Sequence, residues 1–255
     1  MSELEPDILY RYMSCEGDKI KRLEQILQEN VIYFPSPSLF NDPFDCAIGI
    51  SLECSYEKKL QVLLNGMTQA VPELPVEEKL RRARKLIDVG ALAKIDMNAI
   101  TKEIMQFVGI LSMSAIRDNL LMWSHYANKH QGVCVGFKVV PIDPFFGNCY
   151  PVIYREEYPE TAISDSEIEI TNTAFLTKSS DWAYEREYRI IENINGPGLY
   201  KFPSHLLSEI IIGCQAPIEL REKVIGMARN HPTKPQVFQA EIAPREFRLL
   251  SKKLI

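Results

Sequence analysis

The segment Val133-Cys134-Val135-Gly136-Phe137 is apolar at almost every position. A strand with no polar face belongs inside a sheet, and this one is expected to be central. The run Ile210-Ile211-Ile212 has the same character and suits another buried strand. Around these, short segments rich in aliphatic and aromatic residues are separated by turn residues. Ile8–Met13, Val31–Phe34, Gly109–Ser114, Pro151–Arg155, Tyr184–Ile191, Leu199–Phe202, Glu209–Gly213, Gln236–Ile242 and Phe247–Leu250 read as strands. Helical spacing predicts helices over Asp18–Asn30, Asn119–His130, Ser166–Thr177 and Pro217–Arg229, with Asp18 as a cap and Gly132 as a stop.

Residues 56 to 108 break the pattern. Tyr56–Gln69, Val76–Asp88 and about Ala93–Val108 are expected to be helices, with Pro72 and Pro75 between the first two. The reading is a single α+β domain over 1–255, with a mixed, mostly antiparallel curved sheet and a helical insertion at about 56–108. Glu77 to Lys85 carries five basic residues against two acids, and the apolar stripe of Leu80, Ala83 and Ile87 makes the charged side a solvated face.

Composition narrows the function classes. A net charge of -5 gives no general positive field, so no general affinity for nucleic acid or anionic membranes is expected. Met1 to Asp7 is acidic with no apolar run, which is unlike a signal peptide, and no stretch approaches the roughly 20 apolar residues of a spanning helix. The six cysteines form no CxxC pair, so reduced thiols, a cytoplasmic location and no zinc site are expected. No G-x-G-x-x-G or G-x-x-x-x-G-K-[ST] sequence is present, which disfavours Rossmann and P-loop chemistry.

Four polar segments carry the candidate chemistry. In Tyr10-Arg11-Tyr12, a guanidinium between two phenols on a strand can fork onto phosphate or carboxylate while a ring stacks beside it; alternatively Arg11 pairs with a structural acid such as Asp42 or Asp45. In Phe40-Asn41-Asp42-Pro43-Phe44-Asp45, two phenylalanines are expected to anchor a loop whose Asn41, Asp42 and Asp45 form a ligand wall; the other reading is a turn capped by its own aspartates. The third segment runs from Leu111 to His130. It contains Ser112 and Ser114, then Met122, Trp123, Tyr126 and His130 on one helical stripe that suits a core, with His125 off its centre. In Trp182 to Arg189, strand alternation puts Glu185, Glu187 and Arg189 on one face. The two carboxylates repel unless Arg189 or Arg11 compensates.

These segments resemble a large uncharacterised bacterial family, domain-of-unknown-function family 2971. The resemblance runs through Leu9–Tyr12, Phe40–Asp45, Leu121–Ala127, Gly132–Phe137 and Trp182–Arg189. A remoter resemblance is to arginine-type ADP-ribosyltransferases, whose Arg, Ser-x-Ser and Glu-x-Glu order looks like Arg11, Ser112-x-Ser114 and Glu185-x-Glu187. Phe202 to Ile212 is similar to the stretch after the catalytic glutamate in DNA-targeting members. That likeness implies a split-barrel-like fold and NAD as the substrate. Glu187 would stabilise an oxocarbenium-like ribose and Glu185 would position an unknown acceptor. Arg11 would hold a phosphate or ribose, Ser112 and Ser114 would orient, and Asn41 and Asp42 would line the carboxamide side. Tyr10, Tyr12 or Tyr126 would stack on the nicotinamide, with Trp123 and His125 also among the cofactor-binding residues. Two rivals are a nucleotide- or peptide-binding sensor without catalysis, and a hydrolase or nuclease with a divalent ion on Asp42, Asp45, His125 and Glu187.

Overall fold

The computed structural model describes residues 6–46, 48–51, 53–91, 102–162 and 165–255. In chain order the elements are β1 (Ile8–Met13), α1 (Ile20–Glu24), β2 (Val31–Phe34), β3 (Gly49–Ser51), α2 (Tyr56–Ala70), α3 (Val76–Asp88) and β4 (Gly109–Ser114). Next come α4 (Leu120–Tyr126), β5 (Val133–Lys138), β6 (Cys149–Pro151), β7 (Ile153–Arg155), β8 (Glu160–Ala162), α5 (Glu167–Leu176) and β9 (Thr177–Ser179). The chain closes with β10 (Glu187–Glu192), β11 (Gly198–Lys201), β12 (Leu207–Ile212), α6 (Ile218–Asn230), β13 (Gln236–Ile242) and β14 (Leu249–Lys253).

The chain divides into two compact units, Met1–Leu39 with Phe107–Val152 and Asp181–Ile255, and Phe40–Gln106 with Ile153–Ser180. The first unit holds an eight-stranded sheet in the order β14-β13-β12-β5-β1-β4-β10-β6. β5 lies between β12 and β1, as its apolar sequence predicts, and is buried at every position except Lys138. Both its faces are covered. On one, Val133, Val135 and Phe137 join Leu9, Leu111, Ile190 and Ile210, packed under Leu23 and Ile26 of α1 and Val224 and Met227 of α6. On the other, Cys134 joins Tyr10, Tyr12 and Ile211 beneath Met122 and Trp123 of α4.

The pairings are antiparallel except β12 with β13, which run parallel and are joined through α6. The sheet is open, ending at β14 and β6, and does not close into the barrel that the transferase resemblance implied. It also has an internal seam: β1 and β4 share one register pair, Tyr10↔Ser114, whereas β1 and β5 share six. β11 pairs with β2 in a separate two-stranded ribbon instead of extending the large sheet.

Several boundaries differ from expectation for local reasons. The helix expected over Asp18–Asn30 is a 3-10 turn (Gly17–Lys19), α1 and a π segment (Gln25–Glu29), ended by a left-handed Asn30 at φ 53°. Asp18 is no cap; it pairs with Lys21 at 2.7 Å. α4 starts where Asn119 accepts from the amides of Leu121 and Met122, but stops at Tyr126, well before Gly132. Three consecutive left-handed residues, Asn128, Lys129 and His130, end it. β10 begins only at Glu187, because Ser180–Glu185 is a 3-10 segment and Arg186 has a φ of 44°.

The second unit contains α2, α3, α5 and two short parallel strand pairs, β3–β8 and β7–β9. The helical block expected at about 56–108 falls in it through α2 and α3, while most of the third helix, about Ala93–Val108, lies outside the described residues. α5 carries a full capping box between Ser166 and Glu169. On α3, Arg81 and Arg82 both pair with Glu78 on the solvent side, as a solvated face requires, although Lys79 is buried with its ammonium on the Pro72 carbonyl.

Candidate active site

Pleating sorts the polar residues of the first unit. Register pairs Tyr10 with Ser114, Glu187 with Ser114 and Arg189 with Ser112, so these side chains share one face of the sheet. Arg11, between Leu9 and Met13 and opposite Val135, belongs to the other face. Its guanidinium meets β4 at the seam: Arg11 Nη1 donates to the Ser112 main-chain carbonyl at 2.6 Å. Of the four candidate segments, the first and third therefore touch here, through the Ser112 backbone and not its hydroxyl.

Arg11 is half-buried, and among the described residues no carboxylate lies within ion-pair distance of it. Burial lowers its pKa from the usual guanidinium value; Glu187, Tyr126 and Glu185 oppose that shift and Arg22 adds to it. The expected alternative, a structural pairing with Asp45, is not what this acid does. Asp45 sits 3.5 Å from the buried Lys178 ammonium within the second unit. Asp42 accepts the Phe44 amide at 2.9 Å, which is the self-capped turn. Phe44 is 65 % exposed and anchors nothing, because its turn is held by main-chain bonding instead. Asn41 is exposed and, like Asp42, belongs to the second unit.

The two acids of the Glu-x-Glu pair have separate partners, since only Glu187 is on the strand. Arg189 grips Glu187 bidentately, Nε to Oε1 at 2.8 Å and Nη2 to Oε2 at 3.1 Å, with the arginine 0 % and the glutamate 4 % exposed. Glu185, also buried, accepts the Tyr126 hydroxyl at 2.7 Å. Ser114 is a structural link: its hydroxyl donates to the Glu185 carbonyl at 2.6 Å and accepts the Ile116 amide at 3.0 Å. This ties β4 to the turn that carries Glu185.

The remaining aromatic candidates separate into core and surface. Trp123 is fully buried, edge-on to Tyr12 at 5.3 Å with its indole N–H on the Arg117 carbonyl, so it is core and unavailable to a ligand. Tyr12 donates to the Ile116 carbonyl at 2.9 Å. Tyr10 donates to Glu209 at 2.9 Å, and Arg117 holds the same carboxylate oxygen at 2.7 Å. Burial and Glu209 push the Tyr10 phenol well above its usual range, which makes it a structural donor. His125 is exposed, as its offset on the helix suggested. Its ring lies 6.2 Å from Tyr126 and 6.3 Å from Trp182, and Trp182 lies 5.9 Å from Tyr184.

Sequence reasoning passed over Arg22, whose guanidinium carbon sits 3.5 Å above the Tyr33 ring. Nothing local marks it, because a lone arginine on a short helix looks like any solvated charge. No group of three metal-binding side chains converges among the described residues, so the divalent-ion reading gains no geometric support. The described residues contain no helix long and apolar enough to cross a membrane.

The class defined by this fold and site is an open α+β sheet with a basic group at an internal strand seam and buried acids behind an aromatic surface. A family model described as protein of unknown function (DUF2971) matches residues 122–190. The matched segment carries Tyr126, Glu185, Glu187 and Arg189, while Arg11 and Ser112 lie outside it. Neither the curated proteins nor the solved structures contain a match.

Proposed function

We propose that the first unit binds a nucleotide-like small molecule at the β1/β4 seam. The observation that carries this reading is Arg11: a half-buried guanidinium with one N–H on a main-chain carbonyl and no ion-pair partner among the described residues. A desolvated guanidinium with unspent donors is an anion site in waiting, because arginine seldom enters a protein interior without a counter-charge.

NAD is the first ligand to try, because of the Arg, Ser-x-Ser, Glu-x-Glu resemblance. Binding without chemistry is favoured over cleavage, since both Glu187 oxygens are committed to Arg189. If cleavage does occur, the charge-stabilising role passes to Glu185, held by the Tyr126 phenol and close enough to act on Arg11. Titration calorimetry with NAD, followed by a nicotinamide-release assay, tests both readings. Saturable binding lost in Arg11→Gln, without nicotinamide release, is the expected result. Release abolished by Glu185→Gln at unchanged stability would make the protein an NAD-cleaving enzyme. Absence of binding to NAD and to ADP-ribose overturns the proposal.

A further inference from the structure

The sequence holds two Asn-Gly pairs, Asn65-Gly66 and Asn195-Gly196, and the fold treats them differently. In any Asn-Gly pair the next main-chain nitrogen is open to the asparagine side chain, because glycine has no Cβ to keep the two apart. Attack by that nitrogen on the side-chain amide also needs an N–H not already spent in a hydrogen bond. Asn65-Gly66 lies inside α2, so the Gly66 N–H is bound to the carbonyl four residues back. Asn65 Oδ1 is engaged as well, accepting from Gln61 Nε2 at 2.9 Å. Asn195-Gly196 lies instead in the turn between β10 and β11. Asn195 is exposed, and the Gly196 N–H takes no acceptor among the described residues. Glu192 Oε1 accepts the main-chain amides of Ile194 and Asn195, both at 2.9 Å. The same oxygen is 3.4 Å from Asn195 Nδ2, a long contact that restrains the carboxamide little.

We propose that Asn195 is a site of spontaneous deamidation in the folded protein, while Asn65 is protected by its helix. The Gly196 nitrogen bonds to Asn195 Cγ and the Cγ–Nδ2 bond breaks. Ammonia leaves with the proton of the Gly196 nitrogen, and a cyclic succinimide remains. Water then opens the ring. Cleavage of the Cγ–N bond gives aspartate. Cleavage between the nitrogen and the Asn195 main-chain carbonyl carbon gives isoaspartate, in which the chain runs through Cβ and Cγ. In sum, water is consumed, ammonia is released and one negative charge is gained.

Both products disturb the turn. The new carboxylate faces Glu192, which loses Nδ2 as a donor and gains a like charge beside it. Isoaspartate also lengthens the chain by one methylene just before Gly196, where space is short. Gly196 has a φ of 74°, and a Cβ added to it would lie 2.9 Å from the Phe107 carbonyl oxygen. A Cβ added to Gly109 would lie 2.6 Å from the Gly196 carbonyl oxygen, which also accepts the Tyr200 hydroxyl of β11. The modification therefore loosens β11 where the chain leaves β10.

The test is to incubate the full chain at mildly alkaline pH, folded and in denaturing urea, and to follow both asparagine peptides by mass spectrometry. The fragmentation used must separate aspartate from isoaspartate. In the folded protein Asn195 should convert about tenfold or more faster than Asn65, whose reaction waits on local opening of α2. In urea the two should convert at comparable rates, because only the local sequence then matters. The wild type should lose melting temperature in step with conversion, while Asn195→Gln incubated alongside should keep its own. Equal conversion of the two sites in the folded protein, a faster Asn65, or an Asn195 that stays intact while folded would overturn the proposal. Full conversion with no fall in melting temperature would overturn the loosening of β11 and leave the modification site standing.

Discussion

Replacing Arg189 by methionine leaves a carboxylate stranded in the sheet. The Glu187–Arg189 pair is bidentate at 2.8 and 3.1 Å, and its members are 4 % and 0 % exposed, so water cannot replace the guanidinium when it is removed. Truncating one partner of such a pair costs about 3–5 kcal/mol, most of it the desolvation of the charge left behind. For a domain of this size each kcal/mol moves the melting temperature by about 2–4 °C, so Arg189→Met should melt roughly 10 °C below the wild type. The double variant Glu187→Gln with Arg189→Met removes both charges and should recover part of that loss, giving a favourable coupling in a double-mutant cycle. Differential scanning calorimetry at neutral pH reads both values. An Arg189→Met melt within about 2 °C of wild type would refute the argument that Glu187 is a structural anion rather than a chemical one.

Two further outcomes rest on the packing. His231 is buried and neutral: its Nδ1 accepts the Thr233 amide at 3.3 Å, so Nε2–H donates to Asn30 Oδ1 at 3.0 Å. Burial lowers its pKa below the usual 6.5, so the unfolded state binds the proton first. Its stability contribution is present above about pH 6.5 and is lost as pH falls from there towards the lower folded value; urea unfolding from pH 7.5 to 5 should therefore show a steeper loss for wild type than for His231→Gln. At Gly213 an added Cβ would collide with the main-chain carbonyls of His130 and Gly132, so Gly213→Ala should cost about 1–3 kcal/mol or more in chemical denaturation.

Periodicity carried most of the fold. β1, β2, β4, β5 and β13 fall where alternation and apolar runs place them, and all of them contribute buried side chains to the sheet. What escaped were features set by backbone geometry. The left-handed residues 128–130 end α4 early, and the left-handed Arg186 keeps Glu185 off the strand; neither asparagine, lysine, histidine nor arginine announces a positive φ. The open sheet and its seam depend on long-range pairing that no local window contains. Of the candidate site, the residue types were legible: Glu185 accepts from Tyr126, and Arg11 reaches the Ser112 carbonyl. Their roles were not. Arg189 lies two residues beyond Glu187 and was expected as a possible counter-charge, but only the folded geometry distinguishes a bidentate clasp from a passing neighbour.

The most direct measurement is an NMR titration that tracks the Arg11 side-chain Nε–H resonance, assigned by comparison with Arg11→Lys, while ADP-ribose is added. A guanidinium that takes up an anion should shift progressively and saturate at the same ligand concentration as the calorimetric binding curve. An Arg11 resonance that stays in place while the ligand binds would put the anion elsewhere and contradict the seam as the binding site.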